Sequence, residues 1–85
     1  MKVKVLYFAL LRDAMGIAEE RVDVPDGVNT VGALRDWLMA RGEPASTALA
    51  NSRRVRAAVN QDMVESSAPI EAGDEVAFFP PVTGG

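Results

Sequence analysis

The sequence predicts an α+β domain in which one main helix crosses one face of a single mixed sheet. Three observations carry this. Apolar residues alternate over 2–8, 19–24, 55–59 and 75–79, the period of a strand whose side chains point to opposite faces in turn. Over 31–41 they recur at helical spacing instead. Turn residues separate these stretches at Pro25-Asp26-Gly27, Asn60-Gln61-Asp62 and Glu71-Ala72-Gly73-Asp74. The predicted order is β, β, α, β, short β, β.

In the first strand Val3, Val5 and Tyr7 share one face, and Lys2, Lys4, Leu6 and Phe8 share the other. Residues 9–15 suit a short helical turn, with Gly16 as its left-handed stop. In the second strand Val22 and Val24 point inward. The main helix has Thr30 as N-cap, because its hydroxyl can accept from an amide of the first turn. Val31, Leu34 and Leu38 form its apolar stripe, and Trp37 reads as core-edge packing rather than a ligand platform. Gly42 suits a left-handed end, and Pro44 blocks easy continuation. Residues 45–54 are ambiguous, read as a turn of helix and then an exposed loop, and 63–64 as a short strand. In the last strand Val76 and Phe78 face one way, Ala77 and Phe79 the other.

Composition narrows the function. Eighty-five residues, 48% apolar, make one domain with a modest core. There is no Cys and no His. Thiol nucleophiles, imidazole bases, disulfides and the usual zinc and iron ligand sets are therefore excluded, and no metal site is expected. Twelve Asp and Glu are scattered with no pairing motif, so self-contained catalysis is not expected. A net charge of −3 argues against nucleic acid as a partner. Arg53, Arg54 and Arg56 offer a site for an anion or an acidic partner surface, with a solvated loop and strand edge the favoured reading. No stretch approaches the roughly 20 apolar residues of a membrane span. Lys2, Lys4 and the apolar run behind them mimic a signal peptide, but no small-residue cleavage site follows and cleavage would remove the first strand. The expected location is cytoplasmic.

The C-terminal segment is the informative one. Gly84-Gly85 carries no side chain, so it can thread a channel that larger residues would block. Its reactive group is the carboxylate of Gly85, ionised at neutral pH and a poor electrophile until another enzyme activates it. Pro80-Pro81 stiffens the exit from the sheet. The six residues 80–85 can reach roughly 20 Å. The division expected is a folded domain over 1–79 and an extended tail over 80–85.

Strand, strand, helix, strand, strand with a Gly-Gly end resembles the ubiquitin-like β-grasp fold. Val5-Leu6-Tyr7-Phe8-Ala9, Ala58-Val59-Asn60-Gln61 and Gly73-Asp74-Glu75-Val76-Ala77-Phe78-Phe79-Pro80-Pro81-Val82-Thr83-Gly84-Gly85 narrow the match. They resemble the MoaD family, the small sulfur-carrier subunits of molybdopterin synthase, in the superfamily that includes ThiS. The resemblance implies that a MoeB-like E1 enzyme uses ATP to adenylate Gly85 and that a sulfur source converts it to a thiocarboxylate. It implies that Pro80, Pro81, Val82, Thr83 and Gly84 insert into a MoaE-like large subunit, which holds the catalytic residues. There sulfur would pass to cyclic pyranopterin monophosphate, and two transfers would build the molybdopterin dithiolene. A heterotetramer of two large and two small subunits follows from the same resemblance, with no cofactor bound to this chain.

In such a sheet the first and last strands are parallel neighbours, so Phe8 and Phe79 are expected at one end on the face away from the core. With Leu6 and Ala77 they make a candidate partner-binding patch at the root of the tail. Other readings share the Gly-Gly end: a ubiquitin-like modifier joined to lysines, or a carrier for thiamine thiazole or transfer-RNA thiolation. A purely structural binding module would have no use for it.

Overall fold

A computed structural model describes residues 1–50 and 54–80. Five strands and three helices follow in the order β1 (Lys2–Tyr7), α1 (Ala9–Met15), β2 (Glu19–Asp23), α2 (Val31–Ala40), α3 (Ala45–Ala48), β3 (Arg56–Val59), β4 (Asp62–Val64) and β5 (Glu75–Phe79). The sheet order is β2-β1-β5-β3-β4. β1 and β5 run parallel at its centre, with Leu6 opposite Ala77 and Tyr7 opposite Phe78. All other neighbours are antiparallel. This is the α+β, ubiquitin-like β-grasp arrangement the sequence predicts.

The alternation sorts the strands as expected. Val3, Val5, Tyr7, Val22, Val76 and Phe78 join Leu34 and Leu38 of α2 in one core. Each fully buried aliphatic or aromatic side chain there contributes about 1.5–3 kcal/mol. The helix caps also follow the sequence. The Thr30 hydroxyl accepts from the Ala33 amide at 3.1 Å. Gly16 adopts φ 78° and its amide closes α1 on the Arg12 carbonyl at 2.9 Å. Gly42, at φ 99°, follows α2 in the left-handed region that a Cβ disfavours.

The ambiguous stretch 45–54 resolves in part. Its start is one helical turn, α3, which places Ala45 and Leu49 in the core, Leu49 with no exposed surface. Residues 51–53, including Arg53, lie outside the described residues. Arg54 and Arg56 are exposed, as expected. Asp62 belongs to β4 rather than to the preceding turn, because Val59 pairs directly with Asp62 and leaves a two-residue loop. Asn60 and Gln61 in that loop both have positive φ, 49° and 74°, the requirement of a type I′ hairpin turn.

Turn chemistry accounts for two of the motifs. The Asn60 side-chain oxygen accepts from the Glu75 amide at 3.0 Å, and its amide nitrogen donates to Asp74 at 3.1 Å. Asp74 in turn accepts from the Glu71 amide at 2.8 Å, closing the 71–74 turn. The Asn60 and Asp74 side chains and the Glu71 and Glu75 amides thus form one polar clasp at the start of β5. Their role is structural.

Candidate functional site

The outer face of the sheet, opposite the core, carries the apolar row Leu6–Ala77–Ala58–Met63 across β1, β5, β3 and β4. The next row toward the tail begins with Phe8 and Phe79, whose rings stack at 4.8 Å with planes within 6°. The Phe8 amide donates to the Phe78 carbonyl at 3.1 Å, which carries the β1–β5 register one residue past β1. Phe8 is 42% exposed, while Leu6 and Phe79 are half-buried. The structure therefore brings Phe8, Leu6, Ala77 and Phe79 together at the end of β5.

Ala77 differs from a simple exposed patch residue. It is buried, as is Ala58, although neither joins the cluster around Leu34 and Leu38 on the helix-covered face. A methyl between the larger side chains of neighbouring strands is shielded by them, so these two alanines form a flat floor. Met63, 60% exposed, and Ala58 extend the patch beyond the four residues read from sequence. Only the strand order could reveal them, because β3 and β4 sit beside β5 through long-range pairing. Leu10, 73% exposed on α1, lies two residues beyond Phe8.

Behind the patch, the end of β1 is locked from the other face. The Tyr7 hydroxyl donates to Glu20 on β2 at 2.7 Å, and Arg41 clamps the same carboxylate with two bonds, 3.0 and 2.9 Å. The Arg41 guanidinium also lies 5.4 Å from the Trp37 ring centroid. Trp37 thus packs at the core edge, as its spacing suggests. The Arg41 hydrogen bonds hold the Glu20 carboxyl below the usual range, against the opposing effect of burial. Burial, then the Glu20 carboxylate, pushes the Tyr7 hydroxyl well above its ordinary value. Both groups keep one protonation state near neutrality, so the clasp is a fixed support rather than an acid–base pair.

Pro80 is the last described residue, half-buried at the end of β5. Pro81, Val82, Thr83, Gly84 and Gly85 lie outside the described residues. A groove of about 420 Å³ between α2 and β3–β4, with Arg35 among its lining residues, lies on the helix-covered side. It does not include the Phe8–Phe79 stack. Among the described residues no group of three or more Asp or Glu is placed to hold a metal ion.

Residues 5–85 match the model of the ThiS family. The chain belongs to the ThiS family. Among relatives, it is 43% identical to the molybdopterin synthase sulfur carrier subunit of Escherichia coli, over 98% of this chain and 99% of that one. The crystal structure of SAMP1 from Haloferax volcanii superposes on this ThiS-family chain with a TM-score of 0.75, at 34% identity over the whole of both chains. The complex of subunits 1 and 2 of the molybdopterin-converting factor from Helicobacter pylori contains a chain with the same fold, at TM-score 0.65 and 21% identity with both chains fully covered.

Proposed function

We infer that this chain is the sulfur carrier, and small subunit, of a molybdopterin synthase. The observation that carries the reading is 43% identity with the Escherichia coli carrier over 98% of this chain, together with a ThiS-family match that runs through Gly84-Gly85. The structure supports it by setting an apolar patch, centred on Phe8 and Phe79, at the end of β5, the last strand before residues 80–85.

The chemistry divides between this chain and its partners. A MoeB-like enzyme brings ATP, and the Gly85 carboxylate attacks its α-phosphorus with loss of pyrophosphate. A sulfur donor then displaces AMP, leaving a C–S bond and a thiocarboxylate. The body docks on a MoaE-like large subunit through Leu6, Phe8, Ala77 and Phe79, while 80–85 carry the sulfur to cyclic pyranopterin monophosphate. The chain itself binds no cofactor and contributes positioning and cargo, in a heterotetramer of two large and two small subunits. Its place is the cytoplasm, with its activating enzyme. No helix among the described residues is long and apolar enough to cross a membrane.

The test is intact-mass measurement after incubation with the activating enzyme, ATP and a sulfur donor. The expected gain is one oxygen replaced by sulfur, absent when Gly85 is deleted. An unchanged mass with active enzyme would overturn the reading. The likeness to SAMP1, from a family of small archaeal modifier proteins, favours a second reading in which activated Gly85 is joined to lysines. Covalent adducts on target lysines in cells, without thiocarboxylate, would favour that reading instead.

A further inference from the structure

Charged side chains are unevenly placed around the apolar patch of the outer face. The row that holds the Phe8–Phe79 stack continues onto β3 with Arg56, directly opposite Phe79. The next row is Glu19–Leu6–Ala77–Ala58–Met63, and beyond it come Arg21, Lys4 and Glu75. Arg56 faces outward because its neighbour Ala57 belongs to the core, and successive strand residues alternate. Two charges therefore border the patch within the sheet, Glu19 on β2 and Arg56 on β3. Glu19 is paired with Lys4 at 3.4 Å. Arg56 is exposed and makes no ion pair among the described residues, which hold all twelve Asp and Glu side chains.

The acid best placed to neutralise Arg56 is turned away from it. One further step of the β3–β4 register would set Glu65 opposite Arg56, but β4 ends at Val64. The Ala68 amide donates to the Glu65 carbonyl at 3.0 Å, which closes a turn there. The Gly32 amide of α2 donates to the Ser66 carbonyl at 2.8 Å and ties that turn to the helix. Gly32 permits the approach, since a Cβ would lie 3.2 Å from the same oxygen. Arg56 and Glu65 are left in the lining of the groove between α2 and β3–β4.

We propose that the large subunit presents a carboxylate to Arg56 when it docks on the Phe8–Phe79 patch, and that this ion pair fixes the orientation of docking. The inference rests on the reading of that patch as the docking face. A specific interface buries about 800 Å² on each partner, a footprint roughly 30 Å across. Strands lie about 4.8 Å apart, so Arg56 is one spacing from Phe79 and two from Phe8. A footprint of that size centred on the stack covers Arg56. Covering a guanidinium with apolar surface leaves its charge desolvated and unpaired, which opposes binding. A carboxylate opposite it removes that cost through parallel charge-assisted hydrogen bonds. The apolar patch by itself is non-directional, whereas one off-centre ion pair selects a single orientation.

The test is titration of the full chain with its large subunit at low and high salt, using wild type, Arg56→Glu, Arg56→Met, Arg56→Lys and the distant outer-face variant Arg21→Glu. Arg56→Glu should bind at least about tenfold more weakly than wild type at about 0.05 M salt, and the gap should narrow at about 0.5 M as the charges are screened. Arg56→Met, which keeps the length without the charge, should also weaken binding. Arg56→Lys and Arg21→Glu should stay within about threefold of wild type. Arg56 is exposed, so urea midpoints should be unchanged, which separates a lost contact from lost folding. Wild-type affinity in Arg56→Glu, or equal or tighter binding by Arg56→Met, would overturn the proposal. If Phe8→Ala still weakened binding, the patch would stand as the docking face; wild-type affinity there too would overturn both.

Discussion

The ring of Phe8 lies parallel to that of Phe79 at a centroid distance of 4.8 Å. That distance exceeds the roughly 3.5 Å of direct carbon contact, so the rings are offset, the arrangement their quadrupoles favour. The stack joins the residue after β1 to the last residue of β5. Because β1 and β5 are parallel, it stands where the tail begins.

Replacing either ring by alanine should therefore affect association more than folding. Phe8 is 42% exposed, so Phe8→Ala should cost less than about 1.5 kcal/mol of stability, below the loss expected for a fully buried side chain. Affinity for the large subunit should fall by about tenfold or more, as for an aromatic hot spot. Titration calorimetry checks this, and unchanged affinity in both Phe8→Ala and Phe79→Ala would remove the patch from the interface.

The tail variant Gly84→Trp should separate folding from delivery. Its stability should stay within about 0.5 kcal/mol of wild type, as for substitutions away from packed features. Sulfur transfer in the assembled synthase should fall by about a hundredfold or more, since a displaced reacting group costs at least that much. Normal turnover by a variant with normal thiocarboxylate formation would sink the channel argument.

Glu20 makes a contribution to stability that depends on pH. Hydrogen bonds from Arg41 lower its carboxyl pKa from an ordinary value near 4.5, so the folded state binds that proton less readily than the unfolded chain. The sign follows: the contribution is complete above about pH 4.5 and is lost as pH falls through the depressed folded value. Arg41→Ala should cost about 1–2 kcal/mol at neutral pH, discounted because Arg41 is partly exposed. The difference from wild type should shrink in acid, measured by urea unfolding across that window. A constant difference would show that the pair does not carry it.

The β3–β4 turn holds two non-glycine residues at positive φ. Asn60 is compensated by its bonds to Asp74 and Glu75, whereas Gln61 makes no side-chain hydrogen bond among the described residues. Gln61→Gly should stabilise by about 0.4–1 kcal/mol, by relieving a conformation that a Cβ disfavours. Asn60→Ala should destabilise by about 1–2 kcal/mol. Thermal unfolding of both variants checks the pair, and loss of stability in Gln61→Gly would contradict the strain argument.

Much of this architecture was legible because its signals are local. Thr30, Gly16 and Gly42 act within a few residues, and alternation in β1 and β5 sorts Tyr7 and Phe78 from Leu6 and Phe79 without reference to partners. Leu49 was not legible. One helical turn offers too little periodicity to reveal a buried position, and its place in the core depends on contacts with distant elements. Nor were Ala58 and Met63 legible as parts of the patch, because their neighbours are set by sheet order. The Tyr7–Glu20–Arg41 clasp joins residues up to 34 positions apart and leaves no spacing signature.

The sequence by itself determined the α+β class, the division into core and outer faces, and the expectation that Gly84-Gly85 presents a carboxylate. Those follow from residue chemistry and short-range periodicity. Tertiary structure decided what surrounds the end of β5. Parallel pairing of β1 with β5 brought Phe8 onto Phe79, and β3 beside β5 set Arg56 across from the exit. The physical reason is that strand neighbours are chosen by burial of the whole core, which no local stretch of chain encodes.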